Sequence, residues 1–418
     1  AFAEAVPWIA VSPQAARSTL TAIAGAMVST AGIVFSVVLV TLSVTSSQFG
    51  SRLLRTFLAD RVTQLTLGML IGTSVFSMVA LAGIRDQGLN QGTNVSVIFG
   101  LFLAVISLAT LVGFLHHISI RLQAPNVVAA VARDLDQAID ELFPESIGDA
   151  KDPSGQRDGP ENPKYWKQPS EVCEVRACNE GYLQAISGES LMALAKQNDL
   201  LIELQTRPGR FVERDSVIAI VWQRTCEVPQ DGQGLRDARL GANADRIAAA
   251  FVTGRRRTPR QDIECAIDEL VEVGVRAVSP GINDPFTARA IIDRLAAAFG
   301  RLASRRFPAA ERQDDEGIVR IWTEPTTFDD LLNAAFHQLR QHGGQQPAVA
   351  IRLLEGLFRI ACRTDRVEYL DTVFRHAKMV KRDFTRGVGE PEDGDDFDER
   401  FKAVARRCKV DPTSLEIT

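Results

Sequence analysis

Three stretches in the first third of the chain carry no formal charge: between Arg17 and Arg52, between Arg61 and Arg85, and between Asp86 and Arg121. Each is long enough to cross a hydrocarbon core of ~30 Å, which takes ~20 apolar residues as helix. The pattern predicts three transmembrane helices, about 18–48, 62–84 and 94–119, within a membrane region covering 1–122. The first exceeds what a bilayer requires, so its SVTSSQFG end is expected to continue into water as helix. Pro125 can then open a further helix within 123–147, on which Val128, Val131, Leu135, Ile139 and Leu142 form one apolar stripe. That amphipathic connecting helix is expected to pack on a neighbour or on a sister subunit.

Residues 148–170, rich in Pro, Gly and charge, read as a linker. Over 171–225 the period becomes two: GYLQAIS and LLIELQT read as strands around a short helix from Gly188 to Asn198, and RPGRFVERDSVIAIVW gives a Pro-Gly turn followed by alternation. This small β-rich module is similar to half of a lipoyl-type barrel. No lysine stands at a hairpin tip, and Lys196 lies in the helix, so carriage of lipoate or biotin is not supported. From 226 to 418 the chain reads as a helical domain. Thr327 and Asp330 are spaced as a capping box ahead of Phe328, Leu331, Leu332, Ala335, Phe336 and Leu339; Pro347 and Thr364 mark the next two helix starts. The acidic stretch GEPEDGDDFDERFK lacks calcium-loop spacing and reads as solvated surface. The expected fold class is mainly α: a transmembrane helical bundle followed by a cytoplasmic α+β domain, itself the β-rich module plus a helical bundle.

Charge adds orientation. The first 122 residues hold six arginines and three acidic residues, a net +3, so a chain of formal charge −5 leaves −8 for the rest. That balance argues against nucleic acid as a partner. Loop 52–61 carries Arg52, Arg55 and Arg61 against Asp60, whereas loop 85–93 carries only Arg85 and Asp86. The positive-inside rule then places loop 52–61 and everything after Arg121 in the cytoplasm. The chain lacks an initiator Met and starts just ahead of a membrane helix, with Trp8 expected at the outer interface, which allows a preceding segment. Six scattered cysteines, with Cys173 and Cys178 the closest pair, fit free thiols in a reducing compartment. His116 and His117 point about 100° apart on the third helix and are expected as interfacial polar residues, not as ligands of one ion.

Two sets of candidate residues stand out. Thr21, Gly25, Ser29, Gly32, Ser36, Ser43 and Ser47 recur at steps of three, four or seven on the first helix, forming one small or hydroxylated stripe. It fits close helix packing, since small residues let backbones approach in lipid. It also fits a hydroxyl-lined pore wall made by several copies around one axis. Both readings place the stripe against protein. The second set surrounds AVSPGINDPFTA: the preceding helix must end near Val278, because Ser279 precedes Pro280, and Asn283 or Asp284 can cap the next helix with Pro285 at its first position. A structural corner accounts for the break. Ser279, Asn283, Asp284 and Thr287, with Arg255, Arg256, Arg257 and Asp262 ahead of the same helix, also form a candidate ligand or subunit contact, in which the arginines could meet Asp284 or an anionic lipid head group.

ARSTLTAIAGAMVSTAGIVFSVVLVTLSVTSSQFGSRLLRTFLADR, RRRTPRQDIECAIDELVEVGVRAVSPGINDPFTA and GYLQAIS with RPGRFV resemble a bacterial family of predicted membrane proteins, domain of unknown function 2254 (DUF2254). The resemblance covers nearly the whole chain, and SSQFGSRLLR and SPGINDPFTA are specific to it. It implies one further membrane helix upstream and both termini in the cytoplasm, and brings no activity, substrate, cofactor or catalytic residue. No G-x-S-x-G, P-loop, His-Glu-x-x-His or dinucleotide fingerprint occurs in the required context, and His337, His342 and His376 accompany no nucleophile signature, so an enzyme is not expected, nor a metal or cofactor. The leading expectation is a homo-oligomeric pore or transport protein with a cytoplasmic gating or assembly domain. Its rival is a non-catalytic accessory subunit of a larger membrane complex, favoured by the lack of charge inside the spans.

Overall fold

The structure is a computed structural model and describes residues 12–50, 60–84, 91–121, 123–143, 172–223, 243–387 and 390–409. The chain divides into two units, Ala1–Val127 and Val128–Thr418.

The first unit holds α1 (Pro13–Phe49), α2 (Arg61–Ala82) and α3 (Gln91–Arg121), each long and apolar enough to cross a membrane. The starts of α1 and α2 are chemically marked. Ser12 Oγ accepts from the Ala15 amide at 3.2 Å with Pro13 in the first position, and Asp60 accepts from the Thr63 amide at 3.1 Å, so each cap satisfies an orphan N–H. His117 Nε2 lies 3.2 Å from the same Asp60 carboxylate, while His116 is exposed. Ala16, Leu20, Ile84 and Val97 form one small core, and Ala31, Val34, Leu70 and Phe114 another. Between them the helices are joined by hydroxyls. Thr73 Oγ1 and Ser107 Oγ are 2.8 Å apart, and Ser74 Oγ donates to the Ala24 carbonyl at 3.1 Å. In lipid such groups have no water to turn to, so a bond across helices is both partner and glue. Outward, Val75, Val79, Phe102, Val105, Leu108 and Val112 are exposed, the side chains a bilayer accepts.

The second unit is α+β. Its first helix, α4 (Ala124–Leu142), buries Val128, Val131, Leu135 and Ile139 as the apolar stripe predicts; 144–147 and the expected linker lie outside the described residues. Arg305 closes its C-terminal end, donating to the carbonyls of Ile139 at 3.1 Å and Phe143 at 2.7 Å and to Asp140 at 2.6 Å. Carbonyls left over at a helix end thereby gain a cationic partner.

The described strands that follow are β1 (Val172–Arg176), β2 (Gly181–Ile186), β3 (Leu200–Leu204), β4 (Phe211–Val212), β5 (Val217–Gln223), β6 (Phe251–Gly254), β7 (Glu311–Gln313) and β8 (Val319–Thr323), with α5 (Gly188–Gln197) between β2 and β3. They make a five-stranded sheet in the order β1-β5-β3-β8-β7 and a three-stranded sheet in the order β4-β2-β6. Among the described strands the β3–β8 pair is parallel and the other pairs are antiparallel. Leu183, Leu191, Ile202, Ile218, Val221 and Ile321 share the core beneath. Two expectations are corrected here: the stretch expected to be helical supplies β6, β7 and β8, and the sheets that contain the strands of the 171–225 segment are completed by those later strands. The buried Arg320 guanidinium fixes that late strand, bonding Asp199 at 2.5 Å and Asp314 at 2.8 Å, while Asp314 accepts from the Glu316 and Ile318 amides of the preceding turn.

The helical part comprises α6 (Ile263–Ala277), α7 (Pro285–Leu302), α8 (Phe328–Gly343), α9 (Pro347–Ala361), α10 (Val367–Phe384) and α11 (Pro391–Arg407) around Leu270, Ile292, Leu295, Phe299, Phe336, Leu353, Leu357 and Val373. The Thr327–Asp330 capping box is present in both directions. At Gly274 a Cβ would lie 2.6 Å from Leu339 Cδ2, so the glycine lets α6 and α8 approach. A third correction falls on the acidic stretch: it forms α11 and buries Phe397 and Phe401, with Phe397 stacked on Phe384 at 4.0 Å between centroids.

A polar cluster lies between α8 and α10, with His376 at its buried end and Asp329 and Arg375 half-exposed. His376, fully buried, has Nε2 3.0 Å from Asn333 Oδ1; Asn333 donates to Asp329, which also accepts from Thr372 and Arg375. Since Asn333 Oδ1 can only accept, Nε2 of His376 carries the proton and Nδ1 is bare. Burial, then the neighbouring His337, Arg375 and Arg340, push the His376 pKa down to about 3 against the pull of Asp329; burial lowers His337 as well. The unfolded chain takes up this proton below its ordinary pKa of 6.5 and the folded chain does not, so the contribution is complete above pH 6.5 and is lost as pH falls. Opening of α10, followed by amide exchange in the intact protein, is expected to become easier by about 1.4 kcal/mol per pH unit for this one group. The test window is pH 6.5 to 5, before carboxylates titrate, and His376→Gln is expected to flatten it. A pH-independent opening energy there would contradict the neutral buried ring.

Candidate functional site

The α1 stripe and the charged residues around α6 are built very differently. At about 100° per residue, Thr21, Gly25, Ser29, Gly32, Ser36, Ser43 and Ser47 share one line of α1, and all seven are exposed. That line lies opposite the face formed by Ala16, Leu20, Ile23, Ala24, Ala31 and Val34, which is buried within the unit. A Cβ built at Gly25 or Gly32 would meet nothing within 4 Å. The stripe therefore does not pack α1 onto α2 or α3. Of the buried α2 hydroxyls, Thr73 and Ser74 reach the other two helices, at Ser107 and the Ala24 carbonyl, while Thr66 and Ser77 donate to the Val62 and Thr73 carbonyls of α2 itself. Their three-and-four spacing was available in TQLTLGMLIGTSVFS, where the absence of charge masked it.

The second candidate set separates into two places. Asp262 stands at the N-terminal end of α6 and Ser279 just beyond its C-terminal end, and 15 helical residues rise roughly 22 Å. The arginines therefore do not meet Asp284.

At the corner, Asp284 caps α7, accepting from the Phe286 and Thr287 amides at 3.1 Å and from the buried Thr287 hydroxyl at 2.6 Å. Its own amide donates to the Ala277 carbonyl at 2.7 Å, and Ser279 Oγ donates to the Arg276 carbonyl. Asn283 takes φ of 49°, the left-handed conformation Asn tolerates best among side-chain residues. Of the two caps the sequence allowed, Asp284 is the one used. Its carboxylate fills the helix end, so the corner holds itself together.

At the other end Arg257 grips Asp262 with two bonds, Nε to Oδ2 at 2.7 Å and Nη2 to Oδ1 at 2.9 Å, and reaches Asp268 at 2.6 Å with its third nitrogen. Asp262 also caps α6 through the Cys265 amide at 3.1 Å. Burial opposes the Arg257 cation, but hydrogen bonding and charge from Asp262 and then Asp268 prevail, so its pKa stands above the ordinary arginine value. Next to it Arg207 pairs with Glu264 at 2.8 Å. A cleft of about 170 Å³ opens here, lined in part by Arg207, Asp262, Glu264, Arg312 and Thr326. Asp262 and Glu264 in it are already paired with arginine. Arg255 and Arg256, by contrast, are exposed, and neither side chain has an ion-pair partner among the described residues. Among those residues no group of three His, Cys, Asp or Glu could hold a metal ion. The cysteines described, Cys173, Cys178, Cys265, Cys362 and Cys408, are not joined in disulfides.

Three helices long and apolar enough to cross a membrane, followed in the chain by an α+β unit of two sheets and a helical bundle, have the composition of a membrane protein. The family model described as predicted membrane protein (DUF2254) matches residues 2–358, and the chain belongs to that family. It is 31% identical over 354 residues to uncharacterised proteins of Mycobacterium tuberculosis and Mycobacterium bovis, a match covering 84% of this chain and 64% of each relative. No solved structure matches.

Gly209, in the turn before β4, has φ of 94°, and a Cβ there would lie 2.3 Å from Asp262 Oδ2. An alanine must both adopt a strained backbone and displace the carboxylate that holds Arg257. Gly209→Ala is expected to cost about 2–4 kcal/mol in denaturant unfolding of the second unit's signal. Gly281→Ala, at a glycine with open space around it, serves as the mild comparison. Equal costs for the two would refute the close approach as the reason for Gly209.

Proposed function

We propose that the chain is a homo-oligomeric membrane protein in which α1 helices of several copies face one another across a pore or transport pathway, while the second unit assembles or gates it. The observation that carries this reading is the exposure of the whole α1 stripe opposite its packed face. Lipid gains nothing from glycine and serine, whereas another helix gains close backbone approach from Gly25 and Gly32, and a water-filled axis gains hydroxyls from Ser29, Ser36 and Ser43. α1 extends over 37 residues, roughly 55 Å, more than a hydrocarbon core needs, so its far end is available to couple the membrane part to what lies outside.

The second unit is read as non-catalytic: Asp262, Glu264 and Asp284 are committed to caps and ion pairs. We place the protein in a bacterial plasma membrane with the second unit in the cytoplasm, following Arg52, Arg55 and Arg61 in the first loop. The alternative is a non-catalytic accessory subunit whose stripe packs on a different membrane chain, favoured by the absence of charge between Arg17 and Arg52.

The test is ion flux through liposomes containing the purified protein, alongside its mass in detergent. Ser29→Leu and Ser36→Leu are expected to reduce flux and leave the oligomer intact. A monomer without flux, carrying a stripe accessible to lipid-soluble labels, would remove the pathway reading.

A further inference from the structure

Beyond residue 122 the chain is acidic by −8, so a cluster of unpaired cations in it calls for a physical reason. Such a cluster surrounds the three-stranded sheet. Leaving β6 at Gly254, the chain turns back along β2: the Arg256 carbonyl accepts from Gln184 at 2.7 Å, and Gln261 bonds the backbone of Ile186 at 2.9 Å. This track fixes Arg255, Arg256 and Arg260 in a row beside β2, and on the other flank Arg210 leads into β4. All four side chains are exposed, and none has an ion-pair or hydrogen-bond partner among the described residues. Glu180 and Glu213, near the start of β2, pair with none of them.

The same sheet exposes apolar side chains. Phe211 is 56% exposed and stands edge-on to Tyr182 at 5.2 Å, and Val252 on β6 is 51% exposed. Paired arginines elsewhere in the unit, such as Arg257, Arg320 and Arg352, show that acids are supplied where a cation is to be neutralised internally.

We propose that this patch, Arg210, Phe211, Val252, Arg255, Arg256 and Arg260, docks on the surface of an anionic phospholipid bilayer. Arginine forks match phosphate oxygens, and an aromatic and an aliphatic side chain beside them suit the boundary between head groups and acyl chains. The first unit anchors the chain in a membrane, so lipid phosphate is present at high effective concentration whatever the protein's abundance. The surrounding acidity repels anionic lipid, which restricts attachment to the cationic patch. Nucleic acid is disfavoured by that same acidity.

The experiment is hydrogen exchange on the full-length protein in nanodiscs of phosphatidylcholine alone or with phosphatidylglycerol. Amides of 255–261 are expected to be protected only in the anionic discs and to lose protection in high salt. Arg255→Gln with Arg256→Gln is expected to remove protection by about five-fold per arginine, since each is worth about 1 kcal/mol near an anionic surface. Arg255→Lys with Arg256→Lys is expected to retain most of it. Unchanged exchange in α7 shows that the variants fold. Equal protection in both lipids would identify a chain-to-chain contact and overturn the proposal, as would protection in anionic discs that the glutamines leave intact.

Discussion

The Asp262 carboxylate sits where three parts of the second unit meet. It accepts two bonds from Arg257 at the exit of β6, starts α6 by capping the Cys265 amide, and occupies the space that a side chain at position 209 would need beside β4. A nearly buried carboxylate is costly unless its lone pairs are used, and here a fork and a backbone amide use them. Remove the arginine and the charge is stranded; remove the glycine and the fork cannot close. The sheet and the helical bundle are thus held in register by one charge that can be satisfied in only one arrangement.

The membrane part obeys the same rule with weaker groups. On α2, Thr73 and Ser74 point inward and find Ser107 and the Ala24 carbonyl, which uses their polarity within the unit. On α1, the stripe from Thr21 to Ser47 points away from the face that packs on α2 and α3. Serine in a helix can return its proton to its own backbone, as Ser47 does to the Val44 carbonyl, so exposure to lipid costs little. What exposure does forgo is packing, since a glycine facing acyl chains buries less surface than the valines around it. The two stripes therefore have opposite fates from similar composition, and only neighbouring surface distinguishes them.

That distinction bounds what the sequence can disclose. Signals carried by neighbours along the chain were legible: the Thr327–Asp330 box, the Pro347 start, the pre-proline stop at Ser279 and the charge-free spans. Signals closed by distant partners were not. β8 acquires its identity by pairing Ile202 with Ile321, and β7 is three exposed residues, Glu311, Arg312 and Gln313, whose composition says nothing about strand. Phe397 and Phe401 are four apart, a helical spacing that the surrounding acids concealed. Arg257 was recognisable as charged, but its choice of Asp262 and Asp268 over Asp284 depends on the length of α6, which separates the alternatives by four turns.

Charge in the second unit then reads as a question of where neutralisation is withheld. Arg305 is spent on the carbonyls ending α4, Arg320 on two aspartates that anchor β8, and Arg352 on Asp293 and Glu355 between helices. Each is at least half-covered by its surroundings, and in each the pairing fixes one element against another. Arg255 and Arg256 follow β6 directly and precede Arg257, which is held by Asp262 and Asp268, yet they remain solvated. Folding makes no use of them: Arg257 alone completes the link to α6. A residue whose charge the fold neither needs nor neutralises is held in place at no structural gain, and in an acidic unit it lowers the self-repulsion only slightly. Beside exposed Phe211 and Val252, such a charge suits a surface of opposite charge that lies outside the chain.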